Sequence, residues 1–507
     1  MENIDINLSI KDLKLDKLEY AMKKFDNPSN EDKQETININ SQAEIKNTYD
    51  TPEEKFHYTE EIQEVRLATI GNVDSGKTTL VGCLTKIIKD DGRGFARQFV
   101  FNYQHERDNG RTSSIAQEIM GFKKNKQVEV GRSNEKKNSC WKEVVQNCDK
   151  VVCLLDLCGH EKYLKTTMFG LTGLLPDYAM ILVGTNMGVQ RMTKEHLGIV
   201  ISLNIPFFIV FTKIDIAPED IKSQTINSFS TLLRKAAQKT VCKVTNNKEA
   251  ITCADAILGD KICPIFTVSS VTGEGIEELR TFVGHLKPRH VENNSTSIIK
   301  TPNDKLEFLI DSCFNTKVGV VYSGVVVSGT LKVGQVVMLG PDKEGQFKQV
   351  QIKTIHFKRM DVDYVEAGNS CSVKLKSLDK KFELKTDNFR KGMVILGSDV
   401  PMKSCMEFEI NALILHHATS IKVGYQSVIH CGIIRQTATI VWMNKDILRA
   451  GEEGTIRFRF LKSPEYMHEG DIVLFREGRT RGKGKVNKLI YNEKEKGNIH
   501  EKDKKKK

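Results

Sequence analysis

The stretch "GNVDSGKTTL", residues 71–80, constrains this 507-residue chain more than any other. It has the spacing G-x-x-x-x-G-K-T, with Gly71, Gly76, Lys77 and Thr78 in the fixed places, after an apolar run and before a helical pattern. The glycines let the backbone curl until its N–H groups face phosphates, and the next helix adds its positive end. Asn72, Val73, Asp74, Ser75 and Thr79 complete the cradle. Lys77 is placed to meet the β and γ phosphates, and the Thr78 hydroxyl to hold Mg²⁺.

A loop of this kind requires a parallel sheet around it, and the chain supplies one. From Glu64 to about residue 290, apolar runs such as "VVCLLDL" (151–157), "YAMILVG" (178–184), "PFFIVFT" (206–212) and "CPIFTVS" (263–269) alternate with helical stretches. This alternation predicts a doubly wound α/β domain over 63–290, interrupted by a polar insertion at 123–150 that ends in a short helix. Beyond Pro288 the texture becomes all-β. In "VGVVYSGVVVSGTLKVGQVVML" the glycines Gly319, Gly324, Gly329 and Gly334 stand five apart between valine-rich segments, which reads as short strands joined by tight turns. Two β-barrel domains are expected, over 303–399 and 402–492.

Three further pieces follow the loop in the order that guanine-nucleotide binding requires. "DLCGHEKY" (156–163) places Asp156 at a strand end, where it can reach Mg²⁺ through water, and Gly159 where its amide can sense a γ-phosphate. "FTKIDI" (211–216) follows. The Asp215 carboxylate can accept the ring N–H and exocyclic amine of guanine, and adenine lacks that amine; Thr212 and Lys213 flank the base. "VSSVTGEG" (268–275) offers Ser269 and Ser270, the second through its backbone amide. Such sheets bind ligands at the carboxyl ends of their strands, and these pieces sit there. GTP with Mg²⁺ is the expected ligand pair.

Charge is unevenly spread. Residues 1–62 hold eight lysines, no arginine and 15 carboxylates, a net of −7 against +11 for the whole chain. That acidic extension reads as disordered, with one short helix near residues 9–25. The basic remainder suits a polyanionic partner, and a lysine-rich tail covers 493–507. The twelve cysteines form no C-x-x-C pair, and no apolar run is long enough for a membrane span. The first twenty residues are acidic and lack arginine, unlike a secretory or transit signal. A cytoplasmic protein without membrane contact is expected.

At this point the residues resemble the translation-factor GTPases related to elongation factor Tu. The phosphate loop is similar to that class's "GHVDHGKTTL", and "DLCGH" to its "DCPGH", which puts His160 on the distinguishing histidine. "NGRTSSIAQEI" (109–119) aligns with switch I and puts Thr112 on the threonine that ligates Mg²⁺ in the GTP state. "VLFREGRTRGKGKV" (473–486) and "VGYQSVIHCG" (423–432) resemble segments of that class's third domain. "GRGFARQ" (92–98), "GRTSS" (110–114), "HEKYLKTTMFGLTG" (160–173) and "IRQTATI" (434–440) resemble the GTP-binding protein 1-like branch.

The resemblance implies GTP hydrolysis stimulated by the ribosome, with Mg²⁺ held by Thr78, Thr112 and Asp156. His160 would orient water, and Lys77 and Gly159 would assist. It implies aminoacyl-tRNA as cargo. The alternative is a ribosome- or RNA-turnover-associated switch that recruits protein partners through the β domains or the N-terminal extension. Asp74 aligns with an aspartate that binds a monovalent cation in some relatives, which leaves a K⁺ ion open. Several residues depart from the class pattern: Thr212 replaces asparagine, Ser75 a histidine, Ser270 an alanine and Cys158 a proline. Arg111 stands where most relatives have an isoleucine that gates the catalytic histidine with Val73. It is either a cis cation for the transition state or a residue facing ribosome or solvent. Cys153, Cys158 and His160 lack a fourth ligand nearby for zinc, and His416, His417, His430 and Cys431, in a β domain, are expected to be packing and surface residues.

Overall fold

The computed structural model describes residues 62–129, 137–259, 261–289, 299–317, 319–379, 382–478 and 480–491. The expected N-terminal helix and the lysine tail lie outside the described residues.

Eight strands, β1 (Gln63–Gly71), β2 (Ala116–Lys123), β3 (Lys126–Gln127), β4 (Lys150–Asp156), β5 (Tyr178–Gly184), β6 (Phe207–Thr212), β7 (Thr240–Lys243) and β8 (Ile262–Thr267), form one sheet in the order β3-β2-β4-β1-β5-β6-β8-β7. Strands β1 and β4 to β6 are buried on both faces, which is why they read as unbroken apolar runs. The helices are α1 (Lys77–Lys86), α2 (Gln104–Asn109), α3 (Lys137–Gln146), α4 (Leu164–Thr172), α5 (Arg191–Ser202), α6 (Glu219–Ala236), α7 (Asn247–Ala256) and α8 (Ile276–His285). One core joins the sheet to α1, α7 and α8, the other to α4, α5 and α6. The winding on both faces is thus as expected.

The sheet is not parallel throughout. β2 runs antiparallel to β4, and β3 antiparallel to β2. The hairpin that joins β2 to β3 lies in the segment expected to be a polar insertion. Lys124 (φ 49°) and Asn125 (φ 63°) make a two-residue hairpin with both φ positive, without the usual glycine.

The middle domain is a closed barrel. Its strands run Val336–Gly340, Val394–Gly397, Glu307–Thr316, Gly319–Ser328, Ser370–Ser377, Lys348–Phe357 and back to the first. Gly329 and Gly334 turn the chain at positive φ, but Gly324 does not. It lies inside a ten-residue strand at a register shift, where a Cβ would strike the Leu309 carbonyl. The last domain closes six strands in the order Glu407–His416, Glu453–Phe460, Ile434–Met443, Gln426–Cys431, Ile472–Glu477 and Thr480–Ile490.

The three domains meet pairwise. Between the first and second, Lys358 Nζ lies 2.8 Å from Glu64 Oε1 with both side chains buried, and the Arg359 guanidinium stacks over Trp141 of α3 at 4.4 Å. Between the first and third, Glu195 of α5 receives Arg476 at 3.2 Å and also pairs with Arg481. Between the barrels, Arg390 reaches Glu465 at 2.6 Å, and the Tyr466 hydroxyl donates to Glu307 at 3.2 Å. Where all three meet, Phe169 of α4 packs with Val394, Leu396 and Ile433.

Candidate nucleotide site

The carboxyl ends of β1, β4, β6 and β8 gather the expected residues on one side of the sheet. After β1 the chain turns through Gly71 (φ 153°), Asp74 (φ 58°) and Gly76 (φ 81°), and α1 starts at Lys77. Gly71 needs its missing side chain, since a Cβ there would sit 2.8 Å from Ser75 Oγ and strike the Leu182 carbonyl. Lys77 is buried, and its ammonium donates to the carbonyls of Gly71 (3.1 Å) and Asn72 (2.6 Å). Burial pulls it below the usual lysine range, against the opposing charge of Asp156.

Thr78, Thr112 and Asp156 converge, although 78 residues separate the first from the last. Thr78 Oγ1 is 2.7 Å from both Thr112 Oγ1 and Asp156 Oδ2, and Thr112 Oγ1 is 3.3 Å from the same carboxylate oxygen. The other oxygen, Asp156 Oδ1, is buried without a protein hydrogen bond. Burial pushes the Asp156 carboxyl up to about 6, against hydrogen bonds from Thr78. Two hydroxyls and an under-satisfied buried carboxylate, all hard oxygen donors beside a phosphate loop, fit Mg²⁺.

Gly159 sits against this cluster. A Cβ there would stand 2.5 Å from Lys77 Nζ and 2.7 Å from the Gly71 carbonyl. His160 is exposed, and its Nδ1 accepts the Lys162 backbone N–H at 3.1 Å, which assigns the proton to Nε2. Cys158, in the place of proline, donates its thiol to the Ser114 carbonyl at 3.3 Å and so ties the "DLCGH" segment, the counterpart of switch II, to switch I. Arg111 lies 3.6 Å from Asp74, both more than half exposed. The two residues singled out for cation chemistry thus face each other.

On the base side, Thr212 Oγ1 donates to the Ser75 carbonyl at 2.8 Å. The hydroxyl that replaces asparagine therefore braces the phosphate loop. Lys213 takes φ 60°, with Thr185 Oγ1 donating to its carbonyl at 3.0 Å. Asp215 is exposed at the rim. Ser269 Oγ accepts the backbone N–H groups of Val271 and Thr272, and the Ser270 carbonyl accepts that of Asp90.

Two residues near the site carry no sequence signal. Glu106 is fully buried and receives hydrogen bonds from Ser113 and Ser114. His196 of α5 is fully buried with both ring nitrogens unpaired, and burial pulls it down to about 3. A lone acid in a polar stretch and a lone histidine on a helix look like surface residues until the chain is folded.

Comparison with known proteins gives the family. A family model described as the elongation factor Tu GTP binding domain matches residues 63–289, and one described as elongation factor Tu domain 2 matches 319–396. The chain is 43% identical to GTP-binding protein 1 of Xenopus laevis over 84% of its own length and 64% of that protein's. It is 38% identical to human GTP-binding protein 2, over 83% and 69%. A solved bacterial selenocysteine-specific elongation factor shares the fold at TM-score 0.60 and 20% identity, covering 83% of this chain and 58% of that one. The chain is therefore a member of the translation-factor GTPases related to elongation factor Tu, in the branch of GTP-binding proteins 1 and 2.

Proposed function

We propose that this chain binds GTP with Mg²⁺ and hydrolyses it to GDP and phosphate at the ribosome, in the cytoplasm, after carrying aminoacyl-tRNA there in the GTP state. The meeting of Thr78, Thr112 and Asp156 beside the buried Lys77 carries the reading. It brings residues from the phosphate loop and both switches to one point. Bound Mg²⁺ would spread charge over the β and γ oxygens. Lys77 and the loop amides would hold the phosphates, Gly159 would offer its amide, and His160 would present Nε2–H to the attacking water. Asp215 would select guanine, with Thr212, Lys213, Ser269 and Ser270 shaping the base site.

Delivery of aminoacyl-tRNA rests on the closed arrangement of three domains and on the basic balance of the chain beyond residue 62. No helix among the described residues is long and apolar enough to cross a membrane. The test is the rate at which the ester of aminoacyl-tRNA hydrolyses with the protein present. Protection with a GTP analogue but not with GDP is the expected outcome. Equal rates would overturn delivery and leave a switch that recruits protein partners.

A further inference from the structure

The segment that carries Thr112 is held by a carboxylate that no phosphate-loop motif includes. Glu106 Oε1 receives the backbone N–H groups of Ser113 (2.7 Å) and Ser114 (3.0 Å) and both of their hydroxyls (2.9 and 3.0 Å). Its Oε2 receives the N–H groups of Asn102 (3.1 Å) and Tyr103 (3.3 Å). One buried side chain therefore ties the start of α2 to the two residues that follow Thr112. Burial alone would raise its carboxyl, but these hydrogen bonds outweigh it and hold the group below the usual glutamate range. Two further contacts fix the approach to Thr112. Arg97 Nη1 donates to the Gly110 carbonyl at 3.3 Å, and a Cβ on Gly110 would meet that guanidinium at 2.9 Å. Arg111 reaches Asp74 across the phosphate loop.

We propose that Glu106 is a positioning residue which holds Thr112 at Thr78 and Asp156, and so raises the chain's affinity for GTP relative to GDP. This rests on the nucleotide reading above. In GTPases the segment that carries this threonine is ordered by contacts to the γ-phosphate and its Mg²⁺, so a group that pre-orders Thr112 favours the triphosphate state and leaves the diphosphate state almost unaffected. Glu106 touches neither nucleotide nor metal; it acts through the backbone at Ser113 and Ser114. An amide cannot replace it, because its N–H₂ would face backbone donors on one side or the other.

The experiment titrates wild-type protein and Glu106→Gln with a non-hydrolysable GTP analogue and with GDP, each over a range of Mg²⁺. The variant is expected to lose about tenfold or more in analogue affinity and to keep GDP affinity within about twofold, with a higher Mg²⁺ requirement for the analogue only. Because Glu106 acts through Thr112, Glu106→Gln combined with Thr112→Ala is expected to be no worse than Thr112→Ala alone. Equal losses for both nucleotides, no loss for either, or full additivity with Thr112→Ala would overturn the proposal. A wild-type chain without Mg²⁺-dependent analogue binding would overturn the nucleotide reading itself, and the clamp with it.

Discussion

A single methyl group decides whether the two ends of the phosphate site can close on each other. Gly159 approaches Lys77 and the Gly71 carbonyl so closely that Gly159→Ala must push one of them aside. We expect a loss of about tenfold or more in GTP hydrolysis with the thermal unfolding profile little changed, measured as single-turnover rates. Thr212→Ala removes the 2.8 Å bond to the Ser75 carbonyl and leaves an acceptor without its donor. A cost of about 1–3 kcal/mol is expected, read as faster dissociation of a fluorescent guanine nucleotide. The residues behind these two predictions were legible in the sequence because phosphates and guanine demand particular chemistry at particular strand ends. Glu106 and His196 were not legible. Both are buried by the fold, and Glu106 also takes its partners from it; neither effect leaves a local pattern.

At the scale of elements, continuous apolar strands were readable because burial on both faces leaves no polar alternation. The hairpin at Lys124 and Asn125 was not, since its two residues lack the glycine that usually marks positive φ. Gly324 misled in the opposite way: its spacing suggested a turn, whereas it serves close strand packing. The turn between the strands Lys348–Phe357 and Met360–Val362 supports a stability prediction. It carries Lys358, which neutralises Glu64 of β1, with Ser370 donating to the same carboxylate. Lys358→Met leaves a buried carboxylate without its hydrogen-bonded cation. A loss of about 3–5 kcal/mol is expected in denaturant titrations. Breaking the seam between the first and third domains with Glu195→Leu strands Arg476 and Arg481. It should detach the last barrel from α5, seen as faster proteolysis between the barrels and the first domain.

For the whole molecule, acidity acts at the contact between the barrels. His468 lies 3.4 Å from Glu307, whose hydrogen bond and charge raise the imidazole above its ordinary 6.5. Burial would raise Glu307, but His468 overrides it and holds the carboxyl below 4.5. The imidazole contributes fully below 6.5 and its share fades as pH rises through its higher folded value. The carboxylate contributes above 4.5 and its share fades as pH falls through its lower folded value. The pair thus stabilises most between about 4.5 and 6.5. The difference in Tm between wild type and His468→Gln should be largest near pH 5.5 and shrink above pH 8. Sequence alone could not reveal this, because all three seams join residues far apart in the chain.

Three seams around a common junction also have an entropic consequence. With any two intact, the parted surfaces of the third stay tethered at a high effective concentration, in the millimolar range for short connections, and re-form without a search. A ligand that loosens one seam must therefore compete with rapid intramolecular re-closure. Phe169, packed against both barrels directly after the switch II segment, is the point from which one local change reaches more than one seam at once.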